Sequence, residues 1–258
     1  MGVGDVTVSN TKNNSLKGAV FNGTNGLIAI PLTLSSWDTF TVNFWIYFNE
    51  TPTADFERIL TQYDETGNKQ GILLFTGSAG GGDKDKIKFG AYLNNVKVGD
   101  IASAALTMGK WYNLTLEYSG STASMYINKT LAGTDASSEI GLTITDLGLN
   151  LAAKDAVTNV SKVTLSNIQI FSRILTTEER EGLVDNKQVT KDLKHRWKLD
   201  NDFTDSIGSL DGVNTNTYLT IIDDAISTAV AAQRTDATDQ WLCYKGSEGQ
   251  VGTINIEN

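Results

Sequence analysis

WYNLTLEYSGSTASMYINKTL, running from Trp111 to Leu131, decides the fold. Two alternating runs, Trp111–Tyr118 and Ala123–Asn128, flank the small polar turn Ser119-Gly120-Ser121-Thr122. Apolar side chains at every second position around such a bend are the pattern of a β-hairpin. One face of each strand can then bury Leu114, Leu116, Met125 and Ile127 while the other meets water. Ile127–Leu131 reads as a further tight turn.

Outward from this hairpin, short strand-like segments recur with turn signals between them. They are Val3–Ser9, Ala19–Phe21, Leu27–Leu32, Phe40–Phe48, Arg58–Tyr63, Gly71–Thr76, Lys86–Leu93, Leu147–Leu151 and Val163–Phe171. This spacing predicts an antiparallel sandwich rather than a βαβ protein. Phe40–Phe48 is densely aromatic, as expected of a central strand covered on both faces, and GSAGGGDKDK (77–86) is a loop. One helix is expected near 177–186. Thr176 is its cap, Glu179 closes a capping box, and Asp185-Asn186-Lys187 ends it.

The chain has 258 residues, enough for one large β domain or a large one with a small one. Its net charge of −9, from 30 acidic against 21 basic residues, argues against nucleic acid and anionic membranes as partners. Cys243 stands alone, so no disulfide within the chain and no cysteine-metal site is expected. MGVGDVTVSN has neither the charged start and apolar run of a signal peptide nor a myristoylation pattern. No run approaches the roughly 20 apolar residues of a membrane span.

The hairpin resembles that of concanavalin A-like, laminin-G-type jelly-roll domains. The run Val163–Thr176, continuing into Glu178-Glu179, is similar to the closing signature of that family, a late strand with an Arg-x-Leu corner before a short helix. In this reading Arg173 braces the corner. The resemblance covers roughly residues 16–212, with its blocks in an unusual order. The family's opening block lies late, as His195-Arg196-Trp197-Lys198-Leu199 through Asp211-Gly212, and its second block lies early, as Lys17–Pro31. The resemblance implies an all-β, antiparallel concanavalin A-like jelly-roll sandwich with one short helix and a C-terminal β extension. Residues 1–190 are expected to form the sandwich. Residues 191–258 either donate a strand that completes it, in the same chain or to a neighbour, or open a second small β unit, and a weak echo of the block at 18–28 within 228–242 favours the latter. A sandwich short of a strand exposes an unpaired edge, so strand supply, oligomerisation or incorporation into an assembly is expected.

Hydrolases on this fold carry E-x-D-x-x-E on one strand, and no such run occurs here. Asp55-Phe56-Glu57 and Asp64-Glu65 fall at turns, Glu178-Glu179 begins the helix, and the only histidine, His195, is read as structural. An enzyme is not expected. Calcium, which relatives of this kind often bind, would find its oxygen ligands in Asp200, Asn201, Asp202, Asp205 and Asp211 around Gly208 and Gly212. The second family loop, Phe21-Asn22-Gly23-Thr24-Asn25-Gly26, lacks two carboxylates of the family pattern, which weakens a calcium-dependent site there. Carbohydrate binding is the default implied by the resemblance. Trp37 and Tyr63 are the candidate sugar platforms, with Asp64, Asn68 and Asp83 supplying polar groups. The expected role is a non-enzymatic virion component of a bacteriophage, a capsid decoration, fibre or tail protein assembled in the host cytoplasm. Its partners would be itself or other virion proteins, and surface glycans. The alternative is a secreted or cell-surface carbohydrate-binding module.

Overall fold

The computed structural model describes residues 18–34, 37–65, 69–137, 147–154, 158–200, 202–214 and 220–222. The expected strand at Val3–Ser9, the echo at 228–242 and Cys243 lie outside them. The hairpin forms as read. Strands β8 (Trp111–Ser119) and β9 (Thr122–Ile127) pair antiparallel, with Leu114 opposite Ile127 and Leu116 opposite Met125. Gly120 takes φ +63° in the two-residue turn, a conformation glycine adopts at little cost. Leu114, Leu116 and Met125 are buried in the core.

The hairpin extends into an eight-stranded sheet, the first of two. β10 (Thr130–Asp135) pairs with β9, and on the other side β8 pairs with β3 (Thr39–Phe48) and β3 with β12 (Val163–Phe171). The second sheet has seven strands and opposes the first. Its order is β14 (Val213–Asn214), β2 (Ile28–Ile30), β11 (Leu149–Leu151), β4 (Arg58–Asp64), β5 (Gln70–Thr76), β6 (Ile87–Leu93) and β7 (Val96–Ala102). Phe44, Ile46, Leu116 and Leu165 from the first sheet meet Ile30, Leu60, Leu74 and Phe89 from the second in one core. This is the two-layer antiparallel sandwich expected from the alternation, in the jelly-roll form that the family resemblance implies. Two strands carry too little alternation to be read from sequence. β7 and β10 are edge strands with mostly exposed or half-exposed side chains, so water rather than a core sets their pattern.

The late segment enters both sheets. β12 is buried along its whole length, so its backbone groups must be paired on both edges. β3 takes one edge. The other is shared: β1 (Gly18–Val20) pairs with Thr164 and Leu165, and β13 (Leu193–Trp197) pairs with residues 168–171. The handover falls at Asn167, φ +48°, whose N–H donates to the Lys198 carbonyl. β14 then pairs with β2, and β15 (Thr220–Ile222) with β1, all within the one chain.

Helix α1 (Thr177–Val184) begins with the expected capping box: Glu179 N–H donates to Thr176 Oγ1, and Thr176 N–H to the Glu179 carboxylate. Arg173 grips Glu179 through both its terminal nitrogens, at 2.6 and 2.7 Å, and so braces the corner. Arg180 reaches from the helix to Glu117 on β8 at 2.9 Å, with its guanidinium 3.9 Å from the Tyr126 ring centre. Burial pushes the Glu117 carboxyl up, and the Arg180 charge works against that. Among the described residues no helix is long and apolar enough to cross a membrane.

Trp197 is fully buried in the main core, and its indole N–H donates to the Leu210 carbonyl at 2.8 Å. Trp197→Ala should therefore lower the unfolding free energy by about 3–5 kcal/mol in urea titrations. A loss below about 1 kcal/mol would mean that β13 is not part of the cooperative unit.

Candidate functional site

The outer face of the second sheet is built by alternation, interrupted in β4 by a register shift between Arg58 and Leu60 that leaves both Ile59 and Leu60 in the core. Leu60, Ile72, Leu74, Phe89 and Ala91 point into the core, so Thr61 and Tyr63 on β4 and the residues between them on β5 and β6 point out. Cross-strand register sorts these into rows. One runs Arg58, Phe75, Lys88; the next Asn150, Thr61, Leu73, Gly90; the last Tyr63, Gly71, Tyr92. Gly71 has no side chain, so the rings of Tyr63 and Tyr92 meet above it, centroids 5.0 Å apart at 50°. In the adjoining row a Cβ on Gly90 would lie 3.1 Å from Leu73, 3.2 Å from Phe75 and 3.2 Å from Tyr92. The three side chains therefore converge there and form a packed apolar floor. Tyr63 and Tyr92 stay half-exposed above it.

Charge frames the floor on one side. The Arg58 guanidinium sits 5.6 Å from the Phe75 ring centre and bonds Glu65 at 2.9 Å, and Lys154 closes on the other Glu65 oxygen at 2.6 Å. Asn150 Nδ2 donates to the Lys154 carbonyl, fixing that loop. Burial works against the Glu65 charge, but the hydrogen bond from Lys154 and the charge of Arg58 win and hold its carboxyl below the usual range. Two buried polar atoms at this frame have no hydrogen-bond partner, Arg58 Nε and Thr61 Oγ1. The arrangement offers stacking on partly exposed aromatic rings, phenolic hydroxyls and fixed charges at one rim. That is the equipment of a surface that binds polyhydroxylated molecules.

The residues singled out from sequence do not converge. Tyr63 and Asp64 lie at the end of β4, on this face and beside it. Asp83 lies in the loop at the opposite end of β5, where its carboxylate accepts Ser78 N–H at 2.7 Å and pairs with Lys88. Trp37 sits between β2 and β3, stacked on His195 at 6.0 Å. Asn68 lies outside the described residues. Tyr92 and Arg58 were missed. The alternation in β6 marks Tyr92 as outward, but only the sheet order places β4 and β6 on either side of Gly71.

Three of the expected calcium ligands, Asp202, Asp205 and Asp211, take part in building turns. The Asp205 side chain is fully buried; its Oδ1 accepts the N–H groups of Arg196, Ile207 and Gly208, and its Oδ2 accepts Leu210 N–H and meets His195 Nδ1 at 2.6 Å. Asp211 accepts Asp205 N–H and Asp202 accepts Thr204 N–H, both at 2.9 Å. Asp200 is half-buried, and Asn201 lies outside the described residues. In the other family loop Asn22 Oδ1 accepts the N–H groups of Thr24 and Asn25. Among the described residues no three His, Cys, Asp or Glu side chains are grouped to hold a metal ion. The carboxylates near β4 are likewise occupied: Glu57 accepts two backbone N–H groups and Asp55 accepts Ala79 N–H.

Residues 22–179 match the family model of the concanavalin A-like lectin/glucanases superfamily. Among solved structures the chain is similar to a Bacteroides ovatus protein described as a candidate carbohydrate-binding protein. The TM-score is 0.62 at 18% identity, over 81% of this chain and 60% of that one. It is also similar to the CBM40 of the Ruminococcus gnavus IT-sialidase, bound to α2,3-sialyllactose, with TM-score 0.51 and 11% identity over 66% of this chain and 99% of that module. A third likeness is to the Trypanosoma rangeli sialidase, with TM-score 0.51 and 20% identity over 65% of this chain. The chain spans 60% of the Bacteroides protein's length and 27% of that sialidase's. At these identities the likeness is one of fold. No curated protein matches the sequence.

Burial, reinforced by Tyr92, pushes the Tyr63 phenol from 10.0 up to about 12. An unfolded chain releases this proton near the lower value. The stabilisation from Tyr63 is therefore complete below pH 10 and disappears as pH rises towards about 12. Between about pH 9 and pH 11 the unfolding free energy should fall less steeply in Tyr63→Phe than in the parent protein, measured by urea titration. Equal slopes would show that the ring is solvated like a free tyrosine.

Proposed function

The chain belongs to the concanavalin A-like lectin/glucanases superfamily, and we propose that it works as a non-catalytic, lectin-like module that holds glycans on the outer face of its second sheet. The observation that carries this reading is the Tyr63–Tyr92 pair above Gly71, half-exposed over a packed floor. A pyranose ring presents one apolar face and a rim of hydroxyls. The tyrosine rings match the first, and Arg58, Glu65 and Lys154 the second. The carbohydrate binding named for the Bacteroides protein and for the CBM40 module supports the same reading. The carboxylates near the face are committed to turns and ion pairs, which favours binding over hydrolysis. On this reading β13, β14 and β15 belong to the same sandwich, since they pair with its body.

Docking on a larger assembly, such as a bacteriophage capsid, fibre or tail, is the second reading. What favours it is the rim where the two sheets end in edge strands. There β7 and β10 lie side by side, Asp100 N–H donating to the Asp135 carboxylate, and Val96 and Leu131 are 60% and 51% exposed. Exposed apolar side chains at such a rim offer a partner a contact surface.

Affinity electrophoresis through a panel of polysaccharides tests the first reading. At least one should retard the protein, and Tyr63→Ala and Tyr92→Ala should each weaken that retention by about tenfold without changing the far-UV spectrum. Undiminished retention in both variants would move the site elsewhere. Passage through every gel without retardation, together with an empty glycan array, would remove the function. For the second reading, light scattering at micromolar concentration should show self-association that Val96→Lys or Leu131→Lys abolishes; a monomer at every concentration would count against docking between copies.

A further inference from the structure

A second surface carries chemistry that the tyrosine face does not use. Trp37, Asp38, Thr39, Ser172, Lys194 and His195 line an open cleft of about 640 Å³ on the first sheet's side of the molecule. His195 is held there on several sides. Its ring stacks on Trp37 at 6.0 Å and on the buried Trp197 at 5.5 Å. Its Nδ1 faces Asp205 at 2.6 Å, and the Nδ1–Cε1 edge lies against the turn at Gly208, where a Cβ would come within 2.5 Å of Nδ1. The Nε2–Cδ2 edge is the part of the ring that these contacts leave uncovered.

Asp205 also decides which nitrogen carries the proton. Its carboxylate accepts four backbone N–H groups as well as facing the imidazole. Burial opposes its charge, but His195 and those backbone bonds hold its carboxyl below the usual range. A carboxylate only accepts, so Nδ1 must donate and Nε2 of the neutral ring is left as an acceptor. No protein group bonds Nε2 among the described residues. The cleft thus combines the half-exposed Trp37 indole, one face of which is taken by His195, two acceptors in His195 Nε2 and the Asp38 carboxylate, one ammonium in Lys194, and two hydroxyls. Asp38 and Lys194 cancel in formal charge, so the cleft favours an uncharged, hydroxyl-rich ligand with an apolar face.

We propose that this cleft is a second glycan site, taking a neutral terminal pyranose that packs against the open edge of the Trp37 indole and donates a hydroxyl hydrogen bond to His195 Nε2. Asp205 acts as the positioning residue that presents that nitrogen. The chain would then hold glycan at two separated places, the tyrosine face along a chain and the cleft at an end. Two linked contacts of this kind raise retention on a polymer well beyond either alone.

The test follows the indole N–H resonances of the full-length protein while methyl glucoside, galactoside and mannoside are added. The Trp37 signal, identified by its loss in Trp37→Phe, should move saturably with at least one of them. His195→Phe keeps the stack and removes the acceptor. It should weaken that response by roughly three- to tenfold, while Tyr63→Ala and Tyr92→Ala leave it unchanged. A Trp37 signal that none of the three glycosides moves would overturn the proposal, as would an undiminished response in His195→Phe. Polysaccharide retention that persists while the Trp37 signal stays fixed would sink the cleft and leave the tyrosine face standing. Loss of retention with an intact Trp37 response would do the reverse.

Discussion

Strand β12 cannot leave either of its edges open. All nine of its residues are buried, and a buried backbone group without a partner costs about 1–3 kcal/mol. β3 satisfies one edge along most of its length, but β1 is short and reaches only Thr164 and Leu165 on the other. β13 must supply the rest. That requirement draws the late segment into the body of the sandwich, seats Trp197 in the core and places His195 beside Trp37. The Asp205 turn follows, because the chain has to reverse immediately after β13 to bring Leu210 under the Trp197 indole. The cleft is thus a by-product of completing a sheet.

The two outer faces of the sandwich are treated differently. On the first sheet Asn43, Asn113 and Thr115 form a buried hydrogen-bonded cluster, and Glu117 is tied down by Arg180 from the helix. Those polar groups are satisfied by one another, so the middle of that face, around β3 and β8, is committed to structure. On the second sheet the polar groups gather at one rim, and the centre is an apolar floor with tyrosines standing half in water. Partly exposed aromatic rings held on a buried apolar floor beside fixed polar groups are what a recognition surface needs.

Acidity has a different meaning in the folded molecule from the one a list of carboxylates suggests. Asp202, Asp205 and Asp211 crowd a short stretch, the density expected of a cation loop, yet each accepts backbone N–H groups that hold the turn. The same residue type at the same spacing serves either purpose. Here backbone N–H groups point at these carboxylates, so the turn itself uses them.

Much of the architecture was legible in the chain. Alternation from Trp111 to Leu131 fixed a hairpin, its inward residues and a two-layer antiparallel body, because a strand's side chains alternate with period two whatever surrounds them. The Thr176–Glu179 box set the start of the helix for an equally local reason. The edge strands β7 and β10 were not legible, since exposed side chains carry no burial pattern. Nor was the site. Tyr63 is visible as a candidate, but its partner Tyr92 is 29 residues away in the chain, and its distance across the sheet is set by strand order and by the missing side chain at Gly71. The sequence by itself determined the strands, their faces and the cap, since these depend on neighbours within a few residues. Only the tertiary structure decided which strand completes β12, which rings meet, and which carboxylates are already occupied, because those depend on pairings between residues far apart in the chain.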